Sequence, residues 1–207
     1  MSLFPTRIET DRLVFERLAH DTCDPFALYD FFSREDWAEA AADHMPWFQF
    51  DRLDQVAEFL DHAEQQWSDR ETARYLLRAT DEDGDIVGTT AFGPEWDTRR
   101  AGSGIVLARE YWDREYGLER ACAFVELTFE QYDLDAFYTT CATENEPSRR
   151  MIEKYVDRYD SRHEGLLRQH SERPDGAVTD QHRFTILREE YEAATADRET
   201  LAFDLEW

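Results

Sequence analysis

Lysine is almost missing from this sequence. Lys154 is the one lysine among 23 basic residues, and the rest are arginines. Cysteine is scarce too: Cys23, Cys122 and Cys141 are odd in number, far apart and without CxxC spacing. That excludes a disulfide scaffold and points to free thiols in a reducing compartment. No apolar run approaches the ~20 residues of a membrane span. The first dozen residues, MSLFPTRIETDR, are too polar for a signal segment, so a cytoplasmic protein is expected. The six histidines (20, 44, 62, 163, 170, 182) show no ligand spacing such as HExxH, so no metal is expected.

What is abundant is negative charge. Asp and Glu number 47, for a net charge of −24 over 207 residues. Such a chain repels nucleic-acid phosphates and anionic lipid, so neither is expected as a partner. The acids are spread along the whole chain, whereas a binding tail would concentrate them in a block. Dispersed carboxylates with arginine in place of lysine fit solubility in concentrated salt, hence a halophile's cytoplasm. At 1 M salt the Debye length is ~3 Å, so this charge is tolerable to the fold.

The pattern predicts a mixed α/β domain. Residues 12–18 read as a strand. Asp24-Pro25 opens a helix through about residue 33. A short helix is expected over 35–43, broken by Met45-Pro46-Trp47. Leu53, Val56, Phe59, Leu60, Ala63 and Trp67 recur at spacings of three and four, which predicts an amphipathic helix over 52–69. Strands are expected at 73–80, 85–93 and 101–108, as an antiparallel meander with a turn at residues 81–84. A helix follows over 117–132, then a strand at 135–142 and a helix at 147–155. Two strands near 158–169 and 178–188 are joined by the turn Arg173-Pro174-Asp175-Gly176. The expected division is one domain over 1–190 and a tail over 191–207. The apolar end of that tail (Leu201, Phe203, Leu205, Trp207) suits docking on the domain or on a partner, and the chain is expected as a monomer or homodimer.

The stretch from Gly104 to Glu119 bears the chemistry. A strand feeds a tight loop that opens a long helix. First-turn N–H groups of a helix lack intrahelical acceptors and carry partial positive charge, which suits a pyrophosphate. Such a site lets an acidic protein hold an anionic cofactor without a basic patch. Arg114 adds one charge-assisted contact.

Four stretches carry a resemblance. They are IETDRLVFERL at 8–18, LAREYWDREYGLE at 107–119, TENEPSRRMIEK at 143–154 and EGLLR at 164–168. In that order they resemble the GNAT superfamily of acyl-CoA-dependent N-acetyltransferases, and most closely its RimJ/RimL-type branch, whose founding members acetylate ribosomal-protein N-termini. The resemblance implies an α/β GNAT fold: a mixed central sheet of about seven strands, flanked by helices, with a V-shaped splay between the fourth and fifth. The pantetheine arm of acetyl-CoA would lie in that splay, against Ile105, Val106 and Leu107. The pyrophosphate would lie against Trp112, Asp113, Arg114, Glu115, Tyr116, Gly117 and Leu118. Asn145 and Ser148 would sit at the thioester, with Ser148 as proton donor to the leaving thiolate. The implied reaction is direct attack of a primary amine, on a protein N-terminus or a small molecule, with positioning and proton transfer supplied by the protein.

The chain departs from the family at three places. Asp113 and Glu115 stand where the loop usually has glycine. Val156-Asp157 replaces the Gly-Phe that follows the Asn-x-x-Ser helix. Gly102 stands where a glutamate often serves as base, leaving Glu95, Asp97 or Glu144 to substitute through a water. Each site residue also has a plainer role. Asn145 caps a helix, Ser148 lies on a helix surface, Trp112 and Tyr116 pack, and Cys141 is a small core residue. Glu35, Asp36 and Asp43 with Trp37, Trp47 and Phe48 suit a cationic acceptor. The alternatives to an enzyme are a GNAT-fold module that binds acyl-CoA without turnover, and an acidic interaction protein.

Overall fold

Local sequence signals set most of the elements in the computed structural model, which describes residues 2–35, 37, 50–172, 176–197 and 203–207. Asp24 caps helix α1 (Pro25–Phe32): its carboxylate accepts the Phe26 N–H at 3.0 Å, and Pro25 follows with its preset φ. Helix α2 (Leu53–Ser68) begins where the Gln55 side chain accepts the N–H groups of Asp51 and Arg52. It buries Val56, Leu60, Ala63 and Trp67, as the three–four spacing predicts. The helix expected over 35–43 falls largely outside the described residues, as do the break at 45–47 and most of the turn at 173–176.

Two units divide the chain. The first comprises Met1–Gly93, Gly104–Tyr116 and Ala202–Trp207. Its strands are β1 (Arg7–Glu9), β2 (Leu13–Arg17), β3 (Ala73–Ala79), most of β4 (Asp85–Glu95) and the end of β5 (Arg100–Leu107). β1 through β4 pair antiparallel in sequence order. An aromatic cluster of Phe31, Phe32, Trp37, Phe50 and Phe59, with ring centroids 4.8–6.0 Å apart, fills the core beside the helices. Gly88 lets β4 pass close to β5: a Cβ there would lie 2.1 Å from the Val106 carbonyl oxygen.

The second unit comprises Pro94–Ser103 and Gly117–Leu201. It holds the start of β5, then helix α3 (Tyr116–Glu126, its first residue in the other unit), β6 (Ala136–Ala142), α4 (Glu146–Arg158), β7 (Arg162–Glu172), β8 (Val178–Leu187) and α5 (Arg188–Thr195). β8 pairs antiparallel with both β6 and β7. α3 ends in a π-helical turn over Leu127–Gln131, where Thr128 Oγ1 back-bonds to the Phe124 carbonyl at 2.7 Å. α4 runs past the expected residue 155 to Arg158. Ile152, Tyr155, Val156 and Tyr159 keep one buried face through that extra turn.

The hydrogen-bonded strand order is β7-β8-β6-β5-β4-β3-β2-β1-β9, so the mixed sheet has nine strands among the described residues where about seven were expected. The additions are β1 and β9 (Asp204–Glu206), three residues each and too short to show alternation. β9 pairs with β1, setting Leu205 opposite Ile8. The end of the expected tail therefore docks on its own chain. The start of that tail is helical, and Tyr191 stacks on Phe129 at 4.7 Å. The parallel pairing of β5 with β6 spans three residue pairs, from Arg100↔Ala136 to Gly102↔Tyr138. Beyond it, Thr139 Oγ1 donates to the Ser103 carbonyl at 3.4 Å.

Candidate active site

In the first unit, β5 carries Ile105, Val106 and Leu107 toward the expected phosphate loop. Thr90 Oγ1 donates to the Gly104 carbonyl at 2.7 Å. A Cβ on Gly104 would meet no described atom within 4 Å, so open space lies beside the strand there. After a 3-10 turn at Arg109–Tyr111, Trp112 folds back and its indole N–H donates to the Leu107 carbonyl at 2.9 Å. That bond closes the loop against the strand that feeds it.

Asp113 and Glu115 take φ values of +59° and +67°. These are left-handed conformations that glycine adopts freely and other L-residues rarely do. The loop therefore keeps a glycine-type path without its glycines. Both side chains are exposed. Arg114 forms an ion pair with Glu82, lies 5.3 Å over the Tyr111 ring, and its carbonyl accepts from Arg12 at 3.1 Å. Tyr116 is buried at 1% exposure and donates to Asp81 Oδ1 at 2.7 Å. Burial, reinforced by Asp81, pushes its phenol up to about 12. Its side chain is thus committed to the interior.

In the second unit, α3 presents Gly117 and Leu118 in its first turn. A Cβ on Gly117 would come within 3.0 Å of Met151 Cγ, so this glycine also serves close packing of α3 on α4. Asn145 caps α4, accepting the Ser148 N–H at 3.1 Å. Ser148 is half-buried, and its hydroxyl has no hydrogen-bond partner among the described residues. Cys141 is buried, and burial pushes its thiol up to about 11, so it stays protonated at neutral pH and packs as a core residue. Of the acceptor residues expected in the N-terminal segment, Asp36, Asp43, Trp47 and Phe48 lie outside the described residues. Trp37 belongs to the aromatic core.

The three substitute carboxylates differ sharply. Asp97 is exposed. Glu144 is exposed and takes the Thr143 hydroxyl at 3.0 Å. Glu95 is engaged on both oxygens: Oε1 accepts the Tyr138 phenol at 2.5 Å, and Oε2 takes Arg100 at 2.6 Å and Thr98 at 3.1 Å. Desolvation raises this carboxyl, but the three hydrogen bonds outweigh it and hold Glu95 below the usual range. Tyr138 was not singled out in the sequence. The signal was a mid-strand glycine, which marks a close approach, but its partner depends on a register that sequence alone does not supply. Arg120, also in this unit, is buried on α3 and donates to Ser103 Oγ at 2.7 Å. Burial lowers its guanidinium to about 10.

Solved structures share this fold. A GCN5-related N-acetyltransferase from Brucella melitensis is 20% identical, with a TM-score of 0.76, covering 95% of this chain and 86% of that one. A candidate ribosomal-protein-serine acetyltransferase from Vibrio cholerae is 17% identical, with a TM-score of 0.67 over 89% and 99%. The microcin C7 self-immunity acetyltransferase MccE, solved with acetyl-CoA and AMP, is 14% identical, with a TM-score of 0.72 over 86% and 93%. No curated protein matches the sequence. The family described as the acetyltransferase (GNAT) domain matches residues 12–155, and this chain belongs to the GNAT acetyltransferases.

Proposed function

We propose that this chain transfers the acetyl group of acetyl-CoA to a primary amine, on a protein N-terminus or a small molecule, in the manner of the RimJ/RimL-type branch. The observation that carries the reading is the run from β5 through the loop to α3, with left-handed backbone at Asp113 and Glu115 immediately before a helix N-terminus. A pyrophosphate suits the backbone N–H groups of residues 112–118. The pantetheine amides then pair with backbone groups of Ile105 to Leu107. Asn145 and Ser148 stand at the thioester, where the unpartnered Ser148 hydroxyl protonates the leaving thiolate. The acceptor amine attacks the carbonyl directly, so orientation and proton transfer carry the rate.

A second reading has one observation in its favour. Two carboxylates in the phosphate loop and none at residue 102 suit a module that binds acyl-CoA without turning it over.

Calorimetry with acetyl-CoA in multimolar KCl, the medium that the acidic composition suits, tests binding. A Gly104→Trp variant serves as control: a Cβ at 104 would meet no described atom within 4 Å, and the indole is expected to take the place of the pantetheine. The expected result is binding by the wild type that is lost in a variant of unchanged melting temperature. A screen for thiol release with small amines and peptide N-termini then separates the readings. Binding without release on any acceptor leaves the non-catalytic module. A folded wild type that binds no acetyl-CoA sinks both.

A further inference from the structure

One side-chain cluster in the second unit is built around a glycine. Gly102 and Tyr138 form the last pair of the β5–β6 ladder. A Cβ on Gly102 would stand 2.8 Å from Tyr138 Cζ and 3.0 Å from its hydroxyl oxygen. The tyrosine ring therefore fills the volume that a side chain at 102 would take. Its phenol donates to Glu95 Oε1 at 2.5 Å, within the range of charge-assisted O–H···O⁻ bonds. Arg100 and Thr98 hold the other carboxylate oxygen. The Arg183 guanidinium lies 3.9 Å from the centroid of the tyrosine ring, and Arg100 lies 5.2 Å from it. Arg183 in turn faces Glu164 at 3.7 Å. The charged groups around the phenol are thus Glu95 from the end of β4, Arg100 from β5 and Arg183 from β8.

We propose that Tyr138 takes the proton of the attacking amine and passes its own to Glu95. The proposal rests on the acetyl-transfer reading above. On that reading the thioester lies beside Asn145 and Ser148 in the second unit, and the β5–β6 ladder of the same unit ends at the Gly102–Tyr138 pair. Tyr138 stands on that rung. In the step, the amine nitrogen's lone pair forms the C–N bond, and the C–S pair departs on the CoA sulfur. An N–H proton moves to the Tyr138 oxygen as the phenol's proton moves to Glu95 Oε1. Glu95 then yields its proton to water. The thiolate takes a proton from Ser148, which regains one from water.

The resting protonation states suit this order. Burial, with Glu95 adding, raises the Tyr138 phenol, and the hydrogen bonds at Glu95 keep its carboxyl ionised, so the pair waits as phenol and carboxylate. The two guanidinium groups on the ring favour negative charge on the phenol oxygen as the proton passes.

The test is steady-state turnover with the amine acceptor found by the screen. Tyr138→Phe keeps the ring's volume and removes the relay. It is expected to lower kcat by about 10²-fold, with KM for acetyl-CoA unchanged. Glu95→Gln keeps an acceptor for the phenol but no longer takes a proton, and is expected to lose kcat similarly. Gly102→Glu combined with Tyr138→Ala places a carboxylate in the vacated volume and is expected to recover about tenfold over Tyr138→Ala alone. Wild-type kcat in Tyr138→Phe overturns the proposal, and wild-type kcat in Glu95→Gln overturns the relay. A wild type that binds acetyl-CoA but acetylates nothing overturns the transfer reading, and the proposal falls with it.

Discussion

Replacing Asp113 and Glu115 together by glycine separates two features of the phosphate loop, its backbone shape and its charge. Both residues already hold glycine-type φ values, so the substitution asks for no new backbone path. Left-handed backbone costs an ordinary residue roughly 1 kcal/mol, less for Asp than for Glu. Glycine returns part of that through the freedom it adds to the unfolded chain, about 0.5–1 kcal/mol each. Net stability is therefore expected to change by under ~1 kcal/mol in either direction.

The charge effect is larger and depends on salt. A carboxylate about 8 Å from a phosphate repels it by about 0.5 kcal/mol in unscreened water. Two carboxylates facing two phosphates amount to about four such pairs. At 0.1 M salt the Debye length of ~10 Å leaves somewhat under half of this, and at 1 M its ~3 Å leaves almost none. Acetyl-CoA affinity should therefore rise about fivefold at 0.1 M and stay unchanged in multimolar KCl. Calorimetry at both salts reads this, with circular dichroism establishing that both proteins are folded at each. Equal tightening at both salts would refute the charge argument and leave the backbone as the cause. Weaker binding in the variant would mean that the carboxylates help to hold the cofactor.

Three further outcomes follow from the packing and from the titrating groups. Gly88→Ala drives a Cβ toward the Val106 carbonyl, a backbone atom that cannot swing aside. It should cost about 3 kcal/mol and lower the melting temperature by roughly 10 °C, whereas Gly104→Ala, with open space, should leave it unchanged. Tyr116 titrates near 12 in the folded chain, against about 10 unfolded. Its folded pKa is raised, so its contribution is fully present below pH 10 and lost as the pH climbs through 10 to 12. Alkaline denaturation of wild type against Tyr116→Phe should show a shallower decline for the variant in that window, and parallel curves would refute the assignment. Cys141→Ala should keep turnover, and the native Cys141 thiol should resist alkylation at pH 8, because burial keeps it protonated. Loss of activity would instead give this cysteine a chemical role.

Helix caps and buried helix stripes, which depend on near neighbours along the chain, were legible in the sequence. The cap at Asp24-Pro25, the buried stripe of α2 and the Asn145 cap of α4 each rest on residues within a few positions of one another. Long-range pairing was not. β1 and β9 are three-residue strands almost two hundred positions apart, and neither alternates long enough to declare itself. The left-handed path through Asp113 and Glu115 was hidden for another reason: sequence reading assigns positive φ to glycine, and the loop imposes it on two acids.

Gly102 shows both kinds of limit at once. Its sequence position identified an absence, a strand residue with no carboxylate where the resemblance expects one. Only the parallel register, which sets residue 102 against residue 138 across an intervening helix, shows what fills the space beside it. The Tyr138 ring fits because residue 102 has no side chain, and the phenol's hydrogen bond to Glu95 brings a carboxylate to that rung from another strand. The missing side chain at 102 and the ring at 138 are therefore sterically one arrangement. A glycine restored to bulk at 102 should be tolerated only in a chain that also gives up its tyrosine.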